Sequence, residues 1–287
     1  MVRRDNPMEI IVCVKQILDP EVLRFNVGAG RLEEFYYVMN PYDRAALAEA
    51  LRLRSILGGS VTAISLGGEE AHEALRISLT MGADRAVHVQ TGGALDPHTT
   101  SKILAEVIKG ISYDLILCGS RSIDTDGRYV GVGIAEELKI PVVCGVTRLD
   151  LSDGRFKVYR KLRGGDREIL ELQPPAVLTV EEDIAQPVHA TLKTYVEGLK
   201  KPVDKVKPLS LEVKPRTIIL QYVQPKPRTR KTVLSFSPSA SERIKMLMSG
   251  GLKEKASKRV VEGSPERLAA EFLSFLEKNK ILRATRP

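Results

Sequence analysis

Residues 115–138 read LILCGSRSIDTDGRYVGVGIAEEL. Leu115, Ile116, Leu117 and Cys118 form a short apolar run that stops at Gly119, the bounded pattern of a strand buried on both faces of a parallel sheet. Ser120 to Asp126 is polar and reads as a loop. Val130, Ile134 and Leu138 then recur at helical spacing, while Gly127, Gly131, Gly133 and Ala135 keep the segment small enough for close backbone approach. Strand, loop and small-residue helix in this order make a phosphate cradle. The first turn of a helix leaves its N–H groups unpaired and carries the positive end of the dipole, which stabilises an anion without a lysine. Doubly wound folds also place glycine after a strand simply to turn the chain, and that plainer reading stands beside the cradle. Gly131-Val-Gly133-Ile-Ala-Glu136 lacks the third small residue of the dinucleotide fingerprint, and no Gly-Lys-Ser/Thr element occurs, so both named phosphate signatures are excluded.

The same alternation precedes this stretch. Ile10 to Val14 is an apolar strand, and Asn40-Pro41 supplies an N-cap and a first-turn proline, with Asp43 placed to reach back to the helix's free N–H groups. The helix stripe is Ala46, Leu47, Ala50, Leu51 and Leu57, stopped by Gly58-Gly59 before a strand from Val61 to Leu66. A helix through Ala74 and Leu75 ends near Gly82, and Ala86 to Val89 is the third strand. Asp96-Pro97 then opens a helix carrying Ile103, Leu104, Val107 and Ile108, and Leu115 begins the fourth strand. Strands alternating with capped helices predict an α/β fold: a doubly wound, mostly parallel, Rossmann-like sheet with ligands beyond the strand C-termini. After Pro141 the pattern becomes antiparallel, with Val142 to Leu151, Phe156 to Leu162 and Glu168 to Leu172 separated by Asp153-Gly154 and Gly164-Gly165-Asp166; Ala176 to Val180 adds one more strand.

From about Glu181 the composition shifts. Ala190-Thr191-Leu192 opens a short amphipathic piece, Pro202 and Pro208 interrupt it, and Ile218 to Val223 precedes a Pro-Lys-Pro-Arg stretch. Ser264-Pro265-Glu266 starts a terminal helix with Leu268, Phe272, Phe275 and Leu276 on one face. The expected organisation is an α/β domain over residues 1–182, a loop over 183–201 and an extended arm over 202–287 that needs a partner surface. The net charge of +8 has a local origin: residues 193–231 hold eleven Lys/Arg and three Asp/Glu, leaving thirty-three of each sign elsewhere. With two tyrosines and five prolines, that segment lacks the stacking aromatics of a nucleic-acid platform and reads as a partner-docked arm.

Cys13, Cys118 and Cys144 sit in strand-like runs without CxxC spacing and are expected to be small core residues in a reducing compartment. His72, His88, His98 and His189 are scattered without paired-ligand spacing, so no metal is expected. Residues 1–7 lack the apolar centre of a secretion signal and no run has membrane-span length, so the expected location is the cytoplasm or an organelle matrix, with no membrane insertion and no nucleic-acid partner. No nucleophile–base pair or carboxylate dyad stands out, so no catalytic residue is assigned.

Several spaced motifs carry a family resemblance: Val12-Cys-Val-Lys15-Gln, Met39-Asn-Pro-Tyr-Asp43, Met81-Gly-Ala-Asp84, Ile123-Asp-Thr-Asp126 with Val130-Gly131, Pro175-Ala-Val and His189-Ala-Thr-Leu192. From about Met8 to Leu199 the chain resembles the β subunit of electron transfer flavoprotein. The resemblance implies a heterodimer whose α subunit holds most of the redox FAD, while the β subunit buries AMP or, in an electron-bifurcating subclass, a second FAD. It places Val14, Asn40 and Ser65 against adenine or ribose. Asp124, Thr125, Asp126, Gly127, Arg128, Val130 and Gly131 hold the phosphate, through backbone N–H groups, Thr125 Oγ and Arg128, with the two aspartates structural. Asn40 would also cap its helix. Leu192 matches a recognition leucine that anchors in a partner, an acyl-CoA or other flavin dehydrogenase, with a quinone oxidoreductase among the acceptors it allows. Flavin chemistry then belongs to the complex and this chain is an electron carrier. Two departures stand out: Pro20 where some members place a flavin-facing aromatic, and Asp124-Thr-Asp-Gly127 where bifurcating members show Asp-Gly-Asp-Thr. Residues 243–263 are longer than in the plainest members. The alternative is a stand-alone nucleotide-binding or nucleotide-hydrolysing module of universal-stress-protein type, which would have no use for the arm.

Overall fold

The computed structural model describes residues 7–19, 21–22, 24–26, 31–34, 36–92, 95–152, 155–185, 189–208, 215–217, 241, 244 and 263–278. Pro20, the Asp153-Gly154 turn, the 218–223 run, the Pro-Lys-Pro-Arg stretch and all of 243–263 except Ile244 and Gly263 therefore lie outside the described residues. Strand β1 (Met8–Cys13) is followed by four short strands, β2 (Gln16–Leu18), β3 (Arg24–Asn26), β4 (Arg31–Glu34) and β5 (Tyr37–Met39). The alternation then runs α1 (Pro41–Leu57), β6 (Gly59–Gly67), α2 (Ala71–Met81), β7 (Arg85–Gln90), α3 (Pro97–Ile108), β8 (Leu115–Gly119) and α4 (Val130–Leu138). Strands β9 (Val142–Ser152), β10 (Arg155–Lys161), β11 (Arg167–Leu172) and β12 (Ala176–Val180) follow. Helix α5 (Leu192–Lys200), β13 (Asp204–Val206) and helix α6 (Pro265–Lys278) complete the strands and α-helices among the described residues.

Nine strands form one sheet in the order β11-β10-β9-β12-β8-β1-β6-β7-β13. From β9 to β13 every neighbouring pair is parallel, and β9, β10 and β11 add an antiparallel extension. The chain passes from β1 through α1 and α2 to β6 and β7 on one side, then through α3 back across to β8 on the other. Helices α1 and α2 pack on one face, with Leu47, Leu75 and Leu79 over Val12, Ala63 and Leu117. Helices α3 and α4 pack on the opposite face, with Leu104, Ile108 and Ile134 over Ile11, Ile64 and Ile116. This is the doubly wound arrangement, and its switch point falls between β1 and β8.

Local chemistry accounts for the boundaries. Asp96 caps α3 by accepting the Thr99 N–H at 3.1 Å. Gly58 and Gly59 end α1 at φ 74° and 103°, and a Cβ on Gly59 would run into the Met8 backbone, so this junction requires glycine. The expected small core role of Cys144 is corrected: Cys13 and Cys118 are buried register partners, but Cys144 is exposed. Cys144 is the register partner of Thr179, and α4, packed with Gly131 against Cys118 and Thr179, leaves it exposed. The β2–β5 and β3–β4 ribbons and the edge strand β13, between Pro202 and Pro208, were not anticipated.

The chain divides into two compact units, Met1–Gln224 and Pro225–Pro287. Within the first, α5 packs on α2: Arg76 donates to the carbonyls of Leu199 and Lys201, and a Cβ on Gly198 would collide with the Leu79 carbonyl. In the second, α6 leaves Phe272, Leu273 and Phe275 exposed. No helix among the described residues is long and apolar enough to cross a membrane.

Candidate functional site

At the switch point the segments leaving β1 and β8 are tied together by the polar side chains that open α1. Asn40 is buried and makes no cap bond to its own helix; its Nδ2 donates to the Arg121 carbonyl at 2.9 Å and its Oδ1 accepts the Ile123 N–H at 3.3 Å. The capping role expected of Asn40 is therefore corrected, because its carboxamide is spent across the rim. Asp43 is corrected in the same sense: its carboxylate accepts the N–H groups of Lys15 and Gly119, at 2.9 and 3.0 Å, rather than those of α1. Tyr42 completes the clamp, accepting from Arg121 Nε at 2.8 Å while the guanidinium lies 5.0 Å from the ring centre.

The loop so held carries the residues assigned to the phosphate. Asp124 pairs with Lys15 at 2.7 Å, and Asp126 with Arg121 at 3.1 Å and Arg128 at 3.7 Å. Three cations thus balance two carboxylates, which removes the repulsion an acidic loop would otherwise present to an anion. Thr125 Oγ1 lies 2.9 Å from Ser122 Oγ, the Asp126 N–H bonds the Ser122 carbonyl at 2.8 Å, and Asp126 adopts φ 50°, so the loop closes as a tight turn before Gly127. Tyr129 provides no side-chain cap to α4, and the first bond across that end is Gly133 N–H to Tyr129 carbonyl at 2.8 Å. The amides of Val130 and Gly131 head the helix ahead of it.

Gly131 and Gly133 have a packing reason of their own. A Cβ on Gly131 would lie 2.6 Å from Thr179 Cγ2 and 3.3 Å from Cys118 Cβ, and one on Gly133 would strike Ser101 of α3. Small residues let α4 press onto the sheet and bring its N-terminus down to the strand ends. Just past the end of β8, Ser120 is buried and its hydroxyl has no hydrogen-bond partner. Since Cys118 faces α4, strand alternation puts Ser120 on the same side. A buried hydroxyl without a partner on the α4 side of the sheet, where a charge-balanced loop leads into an uncapped helix, suits a phosphate group.

The structure brings Val14, Asn40 and residues 124–131 to this rim. Val14 is buried and its N–H bonds the Ile64 carbonyl at 2.8 Å. Ser65 falls on the α1/α2 side, in register with His88, fully covered and with an unpartnered hydroxyl. Leu192 is remote from the rim: it begins α5 behind Thr191, which accepts the Thr194 N–H, and it is 79% exposed. Sequence reading missed Lys15, Arg121 and Ser120, and the clamp roles of Tyr42 and Asp43. Lys15, Tyr42 and Asp43 lay inside quoted motifs, but only the fold shows what their side chains reach.

Comparison with known proteins places the sequence among named relatives. The model of the electron transfer flavoprotein domain matches residues 32–211. The chain is 34% identical over 253 residues to electron transfer flavoprotein subunit beta of Thermoanaerobacterium thermosaccharolyticum, covering 86% of this chain and 94% of the relative. It is 30% identical over 233 residues to the human protein of the same name, covering 77% and 91%. With protein FixA of Azotobacter vinelandii the identity is 31% over 249 residues, covering 79% and 88%.

Proposed function

The chain belongs to the electron transfer flavoprotein family, alongside relatives named as its β subunit, and from that premise we propose that it is the nucleotide-holding half of a two-chain electron carrier. In this reading the α subunit carries most of the FAD, which supplies the redox chemistry when bound, and this chain holds an adenine nucleotide, AMP or a second FAD. The observation that carries the reading is the meeting, at one switch point, of the bare α4 N-terminus, the idle Ser120 hydroxyl and a loop whose acids are already neutralised. Amides of Gly127, Val130 and Gly131, with Thr125 Oγ1 and Arg128, orient the phosphate. Asp124 and Asp126 shape the loop through their ion pairs. Asn40, Val14 and Ser65 border the base or ribose.

The same reading gives residues 183–201 the docking role, with Leu192 entering a pocket of an acyl-CoA or other flavin dehydrogenase. An exposed apolar tip provides contact area and orientation without a long-lived complex. The arm beyond β13, including the exposed phenylalanines of α6, grips the α subunit, and a quinone oxidoreductase is a downstream acceptor. The location is cytoplasmic. The test is co-expression with the candidate α subunit, followed by a visible spectrum and a count of flavin and AMP per complex. One flavin and one AMP, or two flavins, supports the reading; a colourless monomer that turns over ATP overturns it.

A further inference from the structure

Asp43 lies in the first turn of α1, where a carboxylate ordinarily serves its own helix. Here it is turned across the sheet rim, with Oδ2 on the Lys15 N–H and Oδ1 on the Gly119 N–H. Those two amides belong to the segments leaving β1 and β8, the adjacent strands between which the switch point opens. The fit is close: a Cβ on Gly119 would collide with the Asp43 carboxylate and come within 2.7 Å of Tyr42 Cβ. Burial pushes the Asp43 carboxyl up to about 7, against the opposing pull of Asn40, the two amides and the Lys15 charge. The titratable and charged groups around it are Lys15 beyond β1 and the Cys118 thiol on β8, with Tyr42 and its Arg121 partner from α1 and the loop. Cys118 stays neutral, its thiol held far above the ordinary value by the Cys13 hydrogen bond and burial.

We propose that Asp43 is a positioning residue of the nucleotide site, an inference resting on the reading of that site given above: as a carboxylate it holds both strand exits in place, and on protonation it releases one of them. A carboxylic acid keeps one good acceptor oxygen and turns the other into a donor, and neither amide N–H can accept. The loss falls on Lys15, whose side chain holds Asp124, or on Gly119, from which the cradle loop departs. Asp43 need not touch the ligand to govern its grip.

AMP binding to the full-length chain in its native complex, measured by equilibrium dialysis from about pH 5.5 to about pH 8.5, tests this. Wild-type affinity is expected to fall by about tenfold in total as Asp43 protonates through neutrality, over and above the dependence that the phosphate's own second ionisation imposes. Asp43→Asn, which cannot offer two acceptor oxygens, should bind about tenfold more weakly at high pH. It should keep only the shallower dependence of the phosphate's own second ionisation. Should that variant fail to fold, hydrogen exchange at Gly119 and Lys15 in nucleotide-free wild type reads the same event, with protection relative to the unprotected rate falling in acid. Equal affinities and equal pH profiles, or protection unchanged across the range, overturn the assignment while the nucleotide site stands. Failure of wild type to bind AMP at any pH overturns the site reading and this inference with it.

Discussion

The Lys15 ammonium lies 2.7 Å from one Asp124 oxygen and 3.0 Å from the other, joining the end of β1 to the cradle loop. Burial would raise the Asp124 carboxyl, but the Lys15 hydrogen bond and charge reverse that and hold it below its usual value. Lys15→Met should cost less than about 1 kcal/mol of global stability, because the pair is partly solvated. It should nevertheless lower the nucleotide content of the purified complex several-fold, by leaving a carboxylate unbalanced beside the phosphate. Thermal denaturation and nucleotide extraction from one preparation separate the two effects, and full nucleotide content would argue against the cradle.

Asn40→Ala removes a buried donor and a buried acceptor at once, from the Arg121 carbonyl and the Ile123 N–H. A loss of about 1–3 kcal/mol is expected, read as a lower denaturant midpoint at unchanged m. A variant that keeps its midpoint would show that water replaces the clamp.

Gly131→Ala forces a methyl to within 2.6 Å of Thr179 Cγ2. Overpacking of this kind costs about 1–3 kcal/mol. The second-site change Thr179→Ser removes that methyl but keeps the hydroxyl that accepts the Gly145 N–H at 3.3 Å. The double variant should therefore recover part of the loss, and simple additivity in a double-mutant cycle would contradict the packing account.

Leu192→Ala should leave melting temperature and nucleotide content alone, because the side chain is already largely in solvent. Reduction of the complex by its dehydrogenase should slow, chiefly through a raised KM for the complex. Unchanged kinetics would remove Leu192 from the docking surface.

Asp43 carries a sign for stability as well. Its folded value, about 7, lies above its ordinary 3.8, so between those limits the native state binds more protons than the unfolded chain. The stability it contributes is greatest in acid and falls as pH rises through that window, by a few kcal/mol at about 1.4 per pH unit. Asp43→Asn should erase this slope. Urea titrations of both proteins across the window give the difference, and parallel profiles would refute it.

Much of the fold was legible because period and punctuation agreed. Leu115–Cys118 and Val61–Leu66 each gave a largely apolar run closed by glycine, Ala86–Val89 gave a short strand-like run, and Asp96-Pro97 and Gly58-Gly59 marked helix ends that the structure places there. The ribbons between Gln16 and Met39 were not legible, since strands of three or four residues give no countable alternation. Strand β13 was hidden by its flanking prolines, and its pairing to β7 is a long-range event. At the site, the position of the cradle could be read from small residues after a strand. The clamp could not, because Asn40-Pro-Tyr-Asp43 looks like an ordinary helix start until Gly119, Arg121 and Ile123 are brought beside it.

The outermost rung of the large sheet is delivered late. Residues 204–206 pair with Val87–Val89, so during synthesis β7 is made long before the strand that covers it. Until Val206 leaves the ribosome, the amides and carbonyls along β7 remain an open template for any passing strand. A chain clipped just ahead of Asp204 would keep that template permanently, and its hazard would be self-association rather than loss of chemistry.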